Sequence, residues 1–275
     1  MKLLASDNCK QIITLSKCNL EMQSYFLTFF PEYKDVITKK MIHLAPPQKQ
    51  ICTRDKVLNK KTNKVLKFLF VGKDFVRKGG REIVDVFYQI EQETNYDFEL
   101  QLVSLGKTFN YAFNTWQDTE EENRILFEKI KQSKKITLIE KVENNELLKV
   151  MQNSDVGLLP TWADTYGYSV LEFQAAGCPV ITTNVRALPE INDKDMGWMI
   201  ELETDQFNEI RIKNIEEKEN HRNELQKQLK THILDILEHP EKIKEKAVLS
   251  YDNVSTNYSV KDYVLELSKI YEEKF

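Results

Sequence analysis

Two short segments of the chain hold residues whose types and spacing suit work on anions and hydroxyl groups. The first reads Phe70-Val-Gly-Lys-Asp-Phe-Val-Arg-Lys-Gly-Gly80 and lies between an apolar run and a helical pattern. Gly72 and the closing glycine pair allow backbone to approach a ligand, and Lys73 and Lys78 stand on either side of the loop. Lysines beside a helix N-terminus, where unpaired N–H groups and the helix dipole already favour negative charge, suit a diphosphate. Taken alone, the same loop also reads as a solvated basic turn. The second segment reads Leu159-Pro-Thr-Trp-Ala-Asp-Thr-Tyr-Gly-Tyr-Ser-Val-Leu-Glu172 and continues Phe-Gln-Ala-Ala-Gly-Cys-Pro-Val-Ile181. Asp164 falls in a loop, Gly167 opens a turn, Ser169 is the expected helix N-cap, and Glu172 lies one turn into the helix. That arrangement aims N–H groups from Gly167 to Val170 at the lysine loop. Two carboxylates across such a turn suit the hydroxyls of a sugar or a ribose, which donate to them. A plainer reading makes Asp164 a loop cap and Glu172 a complement to the dipole. It accounts for Asp164 but not for the apolar tail from Ala175 to Ile181.

The elements that must position these segments follow from the apolar pattern. Short runs at Phe68–Val71, Phe98–Val103, Ile136–Ile139, Val156–Leu159 and Pro179–Thr182 predict buried strands. Between them, Ile83, Val84, Phe87 and Ile90 recur at helical spacing, and residues 146–152 and 169–176 predict two further helices. Alternating strands and helices imply an α/β fold: a Rossmann-like parallel sheet with helices on both faces, binding ligands beyond the carboxyl ends of its strands. Residues 106–135 read as a long polar, acidic insertion. Residues 1–45 give one more β-α-β pattern, ended by Pro46-Pro47, and the lysine-rich stretch after it reads as an exposed linker. Beyond Asp205 the chain is charged and helical, with an apolar stripe at Leu225, Leu229, Ile233, Ile236 and Leu237, and a last helix from Val260 to Lys274.

In this order and register the two segments resemble the signature of family 4 retaining glycosyltransferases of the GT-B fold. Gly72, Lys73, Lys78 and Gly79 match its strand-G-R/K-x4-K-G pattern. Asp164 through Ile181 match its acidic residue followed by E-A-x-A-x-G-x-P-V-I, with Phe173 where Ala is usual. The resemblance implies that Lys73 and Lys78 hold the diphosphate of a nucleoside-diphosphate sugar and that Asp164 meets the sugar hydroxyls. It implies that Gly72 and the stretch Thr165, Tyr166, Gly167, Tyr168 and Ser169 border the donor. Glu172 would hold the ribose, and Val142 and Glu146 would pack the base. Asp164 stands where Glu is commoner, and Lys73 replaces the usual Arg, keeping the charge but losing the planar fork. The expected activity is transfer of a hexose from a UDP- or GDP-sugar to a glycan or lipid-linked acceptor with retention, without a metal or other cofactor. The alternative is a non-catalytic nucleotide-sugar-binding subunit. On this resemblance residues 1–48 form a remnant of an N-terminal acceptor domain, 49–66 a linker, 67–257 the donor domain, and 258–275 a helix returning to the remnant. A complete relative would carry about 150 more residues ahead of them, so a partner chain supplying the N-domain is a further expectation.

Composition narrows the field in the same direction. The 275 residues, 41% of them hydrophobic, suffice for a sizeable core. A net charge of -4, from 39 basic and 43 acidic side chains, argues against a nucleic-acid partner. Four widely spaced cysteines and no apolar leader fit a cytoplasmic protein, with the lysines of the linker offering peripheral contact to an anionic membrane. No G-x-G-x-x-G follows a strand, which disfavours a dinucleotide-binding dehydrogenase. Asp193-Lys-Asp195 has the form of a metal-binding D-x-D but sits in a polar turn rather than at a strand end.

Overall fold

Along the apolar runs, successive side chains are buried on opposite faces, as two-sided burial of a strand requires. Phe68, Phe70, Leu100, Leu102, Leu158 and Ile181 enter one core, and Leu69, Val103, Leu159 and Val180 enter the other. The computed structural model describes residues 1–104, 116–140 and 142–274, and the following elements lie among them.

The N-terminal part contains α1 (Lys2–Ala5), β1 (Ile12–Thr14), α2 (Lys17–Phe26), α3 (Pro31–Thr38) and β2 (Met41–His43). β1 and β2 pair in parallel as a separate two-stranded sheet. After α4 (Arg54–Asn59) comes the main unit: β3 (Leu66–Val71), α5 (Gly80–Glu93), β4 (Phe98–Val103), α6 (Glu120–Gln132), β5 (Ile136–Ile139) and α7 (Asn144–Asn153). It continues through β6 (Val156–Leu159), α8 (Tyr168–Ala175), β7 (Val180–Thr183), α9 (Leu188–Ile191) and β8 (Trp198–Ile200). Three helices follow: α10 (Ile215–Glu238), α11 (Lys242–Asn257) and α12 (Val260–Lys274).

The six strands β3 to β8 form one wholly parallel sheet in the order β5-β4-β3-β6-β7-β8. The chain winds outward from β3 in one direction and from β6 in the other, so the winding reverses between these two neighbours. In open α/β sheets that reversal leaves a crevice beyond the strands' carboxyl ends, because the connections there part to opposite faces. The loops that leave β3 and β6 are the two segments singled out by their residue types.

Helices α5, α6 and α10 cover one face. Ile83, Phe87 and Ile90 of α5 meet Leu225, Leu229, Ile233 and Ile236 of α10, and Phe68, Phe87 and Phe98 stack edge-on with ring centroids 4.9 and 5.2 Å apart. Burying each such ring is worth about 2–3 kcal/mol. Helices α8 and α11 cover the other face.

The stretch expected as an exposed linker is instead partly structured. Thr53 caps α4 by accepting from the Lys56 N–H, Val57 is buried against α11, and Lys60 donates to the carbonyls of Ser154 and Gly177. Lysine-rich composition concealed this because a lysine such as Lys60 can lay its stem over the surface while its charged end reaches main-chain carbonyls. Much of the insertion is α6, which begins with a reciprocal capping box between Thr119 and Glu122 and buries Leu126 and Ile130; residues 106–115 lie outside the described residues. Leu267, Ile270 and Tyr271 of α12 face Leu3, Leu4 and Ile13 across a shallow groove.

Candidate functional site

Both loops at the reversal are shaped by glycine. Gly79 precedes α5 with φ +84°, and a Cβ there would run into the carbonyl of Pro160, the first residue after β6. Only glycine suits both the left-handed backbone and the close approach. The loops are then stitched together: the Trp162 N–H and the Thr161 hydroxyl both donate to the Arg77 carbonyl, at 2.9 and 3.0 Å. Gly72 clears the stem of Lys78, since a Cβ would stand 3.2 Å from the lysine's Cβ and 2.8 Å from the Phe70 ring.

This stitching brings Lys78 and Asp164 together as an ion pair. The other Asp164 oxygen, Oδ1, accepts from the Tyr166 N–H at 3.2 Å, which fixes the loop conformation. Around the pair opens a cleft of about 430 Å³. Arg77, Lys78, Asp164 and Thr165 line one side, Arg186, Glu209 and Arg211 another, and Ser16, Cys18 and Asn19 of the N-terminal part the rim. Lys73 is exposed and stands outside this lining.

Helix α8 opens beside the cleft. Its N-cap is Gly167, in the left-handed region at φ +101°, and not Ser169, which lies inside the first turn. A side chain at 167 would also meet Leu188 at 2.5 Å. The turn therefore needs a residue with neither steric restriction, and the serine comes too late to cap. Tyr166 is buried beneath the turn; burial and its hydrogen bond with Tyr258 push its phenol well above the ordinary range, while Tyr168 packs on it from the exposed side at 5.2 Å.

Glu172 and Glu146 lie elsewhere. They line a second cavity of about 720 Å³ together with Gln48 to Ile51 and Gln152. Glu172 is half-buried, and burial alone pushes its carboxyl pKa upward. Glu146 is exposed and pairs with Lys149 at 2.7 Å, and Val142 packs at the edge of the core on that face. The loop leading into α8 thus reaches the first cavity through Asp164 and Thr165, while Glu172 lies in the second.

The Asp193 carboxylate accepts from the N–H groups of Asp195 and Met196, closing its own turn. Among the described residues, no three His, Cys, Asp or Glu side chains converge in a way that could hold a metal ion, and no helix is long and apolar enough to cross a membrane.

The sequence reading missed the basic groups opposite Lys78. Arg186 has φ +53°, its N–H donates to the Asn208 carbonyl at 2.8 Å, and its guanidinium pairs with Glu209. Applying the strand-end rule to β7 would have found it. Glu209 and Arg211 sit in an aperiodic stretch that carries no such signal.

The N-terminal part is fastened to this rim by Glu190 of α9. Its carboxylate accepts from the N–H groups of Lys17 and Cys18 at 2.9 and 2.8 Å, capping α2 alongside Ser16, whose hydroxyl accepts from the Asn19 N–H at 3.0 Å.

A doubly wound parallel sheet with this crevice is the architecture of one lobe of GT-B glycosyltransferases. A glycosyltransferase of Rickettsia africae superposes over 96% of the chain with TM-score 0.65 at 16% identity, and WaaG, a glycosyltransferase involved in lipopolysaccharide biosynthesis, over 94% with 0.59 at 18%. An Anabaena protein, HepE, solved with UDP and glucose, superposes over 96% with 0.63 at 11%. The chain belongs to the group 1 glycosyltransferases: the sequence pattern described as Glycosyl transferases group 1 matches residues 53–232. It is also 29% identical over 126 residues, 45% of its length, to an uncharacterized 41.2 kDa protein in the cps region of Klebsiella pneumoniae. The chain spans 34% of that relative and 62–63% of these three solved chains.

Proposed function

We propose that the chain is the donor-binding lobe of a family 4 glycosyltransferase. It would take a UDP- or GDP-hexose and pass the hexose to a glycan or lipid-linked acceptor with retention. The observation that carries this reading is the pairing of Lys78 with Asp164, 86 residues apart in sequence, at the reversal of the sheet and beside the start of α8. In this assignment Lys78, aided by Lys73 and the N–H groups that open α8, neutralises the diphosphate as it departs, which is electrostatic catalysis of bond cleavage. Asp164 accepts from hydroxyls of the donor sugar, with Gly72 and residues Thr165 to Ser169 bordering it. Glu172 accepts from the ribose, and Val142 and Glu146 pack the base. The rise in the Glu172 pKa fits that role, because burial leaves a carboxylate whose charge two ribose hydroxyls would stabilise. No metal or other cofactor has a part in the scheme.

The acceptor is assigned to groups facing the cleft from a second lobe, with a partner chain as one supplier. One neighbour, WaaG, is involved in lipopolysaccharide biosynthesis, and a lipid-linked acceptor would set the reaction at the cytoplasmic face of a membrane. Donor hydrolysis assayed with UDP- and GDP-hexoses, with and without the products of adjacent genes, tests the proposal. Release of nucleoside diphosphate that needs Lys78 supports it; no turnover in either condition, together with no donor binding, sinks it.

A further inference from the structure

We propose that Asp164 competes with the diphosphate for Lys78 and thereby sets the preference of the cleft for a sugar-bearing nucleotide over the spent nucleoside diphosphate. The inference rests on the assignment of the cleft to a nucleotide-sugar donor.

The two members of the pair differ in freedom. Asp164 is fixed, because its Oδ1 accepts from Tyr166 and its loop is tied through Trp162 to the Arg77 carbonyl. Lys78 sits on a flexible four-carbon stem and is the member able to turn toward an incoming anion. Their side chains are only 18% and 11% exposed, so water screens the pair weakly. A diphosphate that draws Lys78 away leaves the Asp164 carboxylate shielded and without its cation, which is costly. A hexose attached to that diphosphate brings hydroxyls that donate to Asp164 and offset the loss. A bare nucleoside diphosphate brings none. The ion pair therefore penalises the product and not the donor, and its re-formation as the product leaves favours release. The other basic groups of the lining already have acidic partners: Arg186 and Arg211 across the cleft pair with Glu209 and Asp205, and Arg77 beside Lys78 pairs with Asp74.

The test is a double-substitution cycle on the full chain, read by calorimetry with UDP and GDP and with the corresponding hexose conjugates. Asp164→Asn is the informative change, because the amide oxygen still accepts from Tyr166 and the loop is preserved; a thermal melt of each variant checks that it folds. Asp164→Asn is expected to tighten the bare nucleoside diphosphate about three- to tenfold, the worth of a shielded pair. It is expected to weaken the hexose conjugate, so the ratio of the two affinities collapses. In a Lys78→Ala background the Asn substitution is expected to give no gain for the bare nucleotide. Unchanged or weaker binding of the bare nucleotide by Asp164→Asn overturns the proposal. So does a gain that persists without Lys78, which would mean simple repulsion between Asp164 and the phosphates. A wild-type chain that binds neither nucleotide at millimolar concentration overturns the donor assignment beneath it.

Discussion

At the scale of single residues, the chemistry proposed for the chain depends on groups whose state is set by their surroundings. Burial raises the Glu172 pKa, and ribose hydroxyls donate only to the ionised form well. Nucleotide affinity is therefore expected to fall as the pH drops through that raised value, and Glu172→Gln is expected to weaken binding about tenfold near neutrality and to flatten the pH dependence. Calorimetry between pH 5 and 8 checks both. Lys78 and Asp164 were legible in the sequence because each follows a strand end and is flanked by glycine at a fixed spacing. Their ion pair was not, since nothing local in the chain places residues 86 apart in contact. Ser169 misled as a cap because a hydroxyl near a helix start normally serves there, whereas the backbone turns two residues earlier, where Gly167 takes φ +101°.

At the scale of elements, two devices hold the loops in place, and each predicts a measurable loss. Gly79→Ala forces a Cβ into the Pro160 carbonyl at a left-handed φ of +84°. The expected cost is roughly 2–4 kcal/mol of unfolding free energy, seen in urea denaturation, with loss of nucleotide binding as the loops part. Glu190→Ala removes the carboxylate of α9 that caps α2. It is expected to cost about 1–2 kcal/mol and to raise amide exchange in α2, with little change in the main sheet. The strands β3 to β7 were legible because burial on both faces demands continuous apolar runs. Strand β8, Trp198–Ile200, was not read although the equally short β1 and β2 were, and α4 escaped beneath a run of lysines.

At the scale of the whole molecule, a buried ionic cluster joins the helices on one face of the sheet. Asp118, ahead of α6, accepts from Lys218 at 2.8 Å and Arg222 at 2.6 Å in α10 and pairs with Arg81 of α5. Burial opposes its charge, but the Lys218 hydrogen bond and the two arginines outweigh this and hold its pKa below the ordinary range. Glu82, fully buried beside Arg222, is different: burial dominates and pushes its pKa up to about 7. A raised carboxyl pKa means that the folded state binds the proton more tightly. The stabilisation is complete below the unfolded value near 4.5 and is lost as the pH rises toward 7. Stability is expected to decline by about 3 kcal/mol across that interval, and Glu82→Gln is expected to remove most of the decline, as read from urea midpoints at a series of pH values. The parallel order of the sheet could be anticipated from alternating strands and helices. This cluster could not, because it joins residues about a hundred positions apart that carry no shared motif.

Whether the crevice at the reversal of the sheet binds a nucleoside-diphosphate sugar through Lys78 is decided by titrating UDP- and GDP-hexoses into the wild-type chain and its Lys78→Ala variant. Saturable binding of at least one donor by the wild type is expected, with a loss of about ten- to a hundredfold in the variant, the worth of a charge-assisted phosphate contact. Absence of binding at millimolar donor, or binding that Lys78→Ala leaves unchanged, would contradict this assignment.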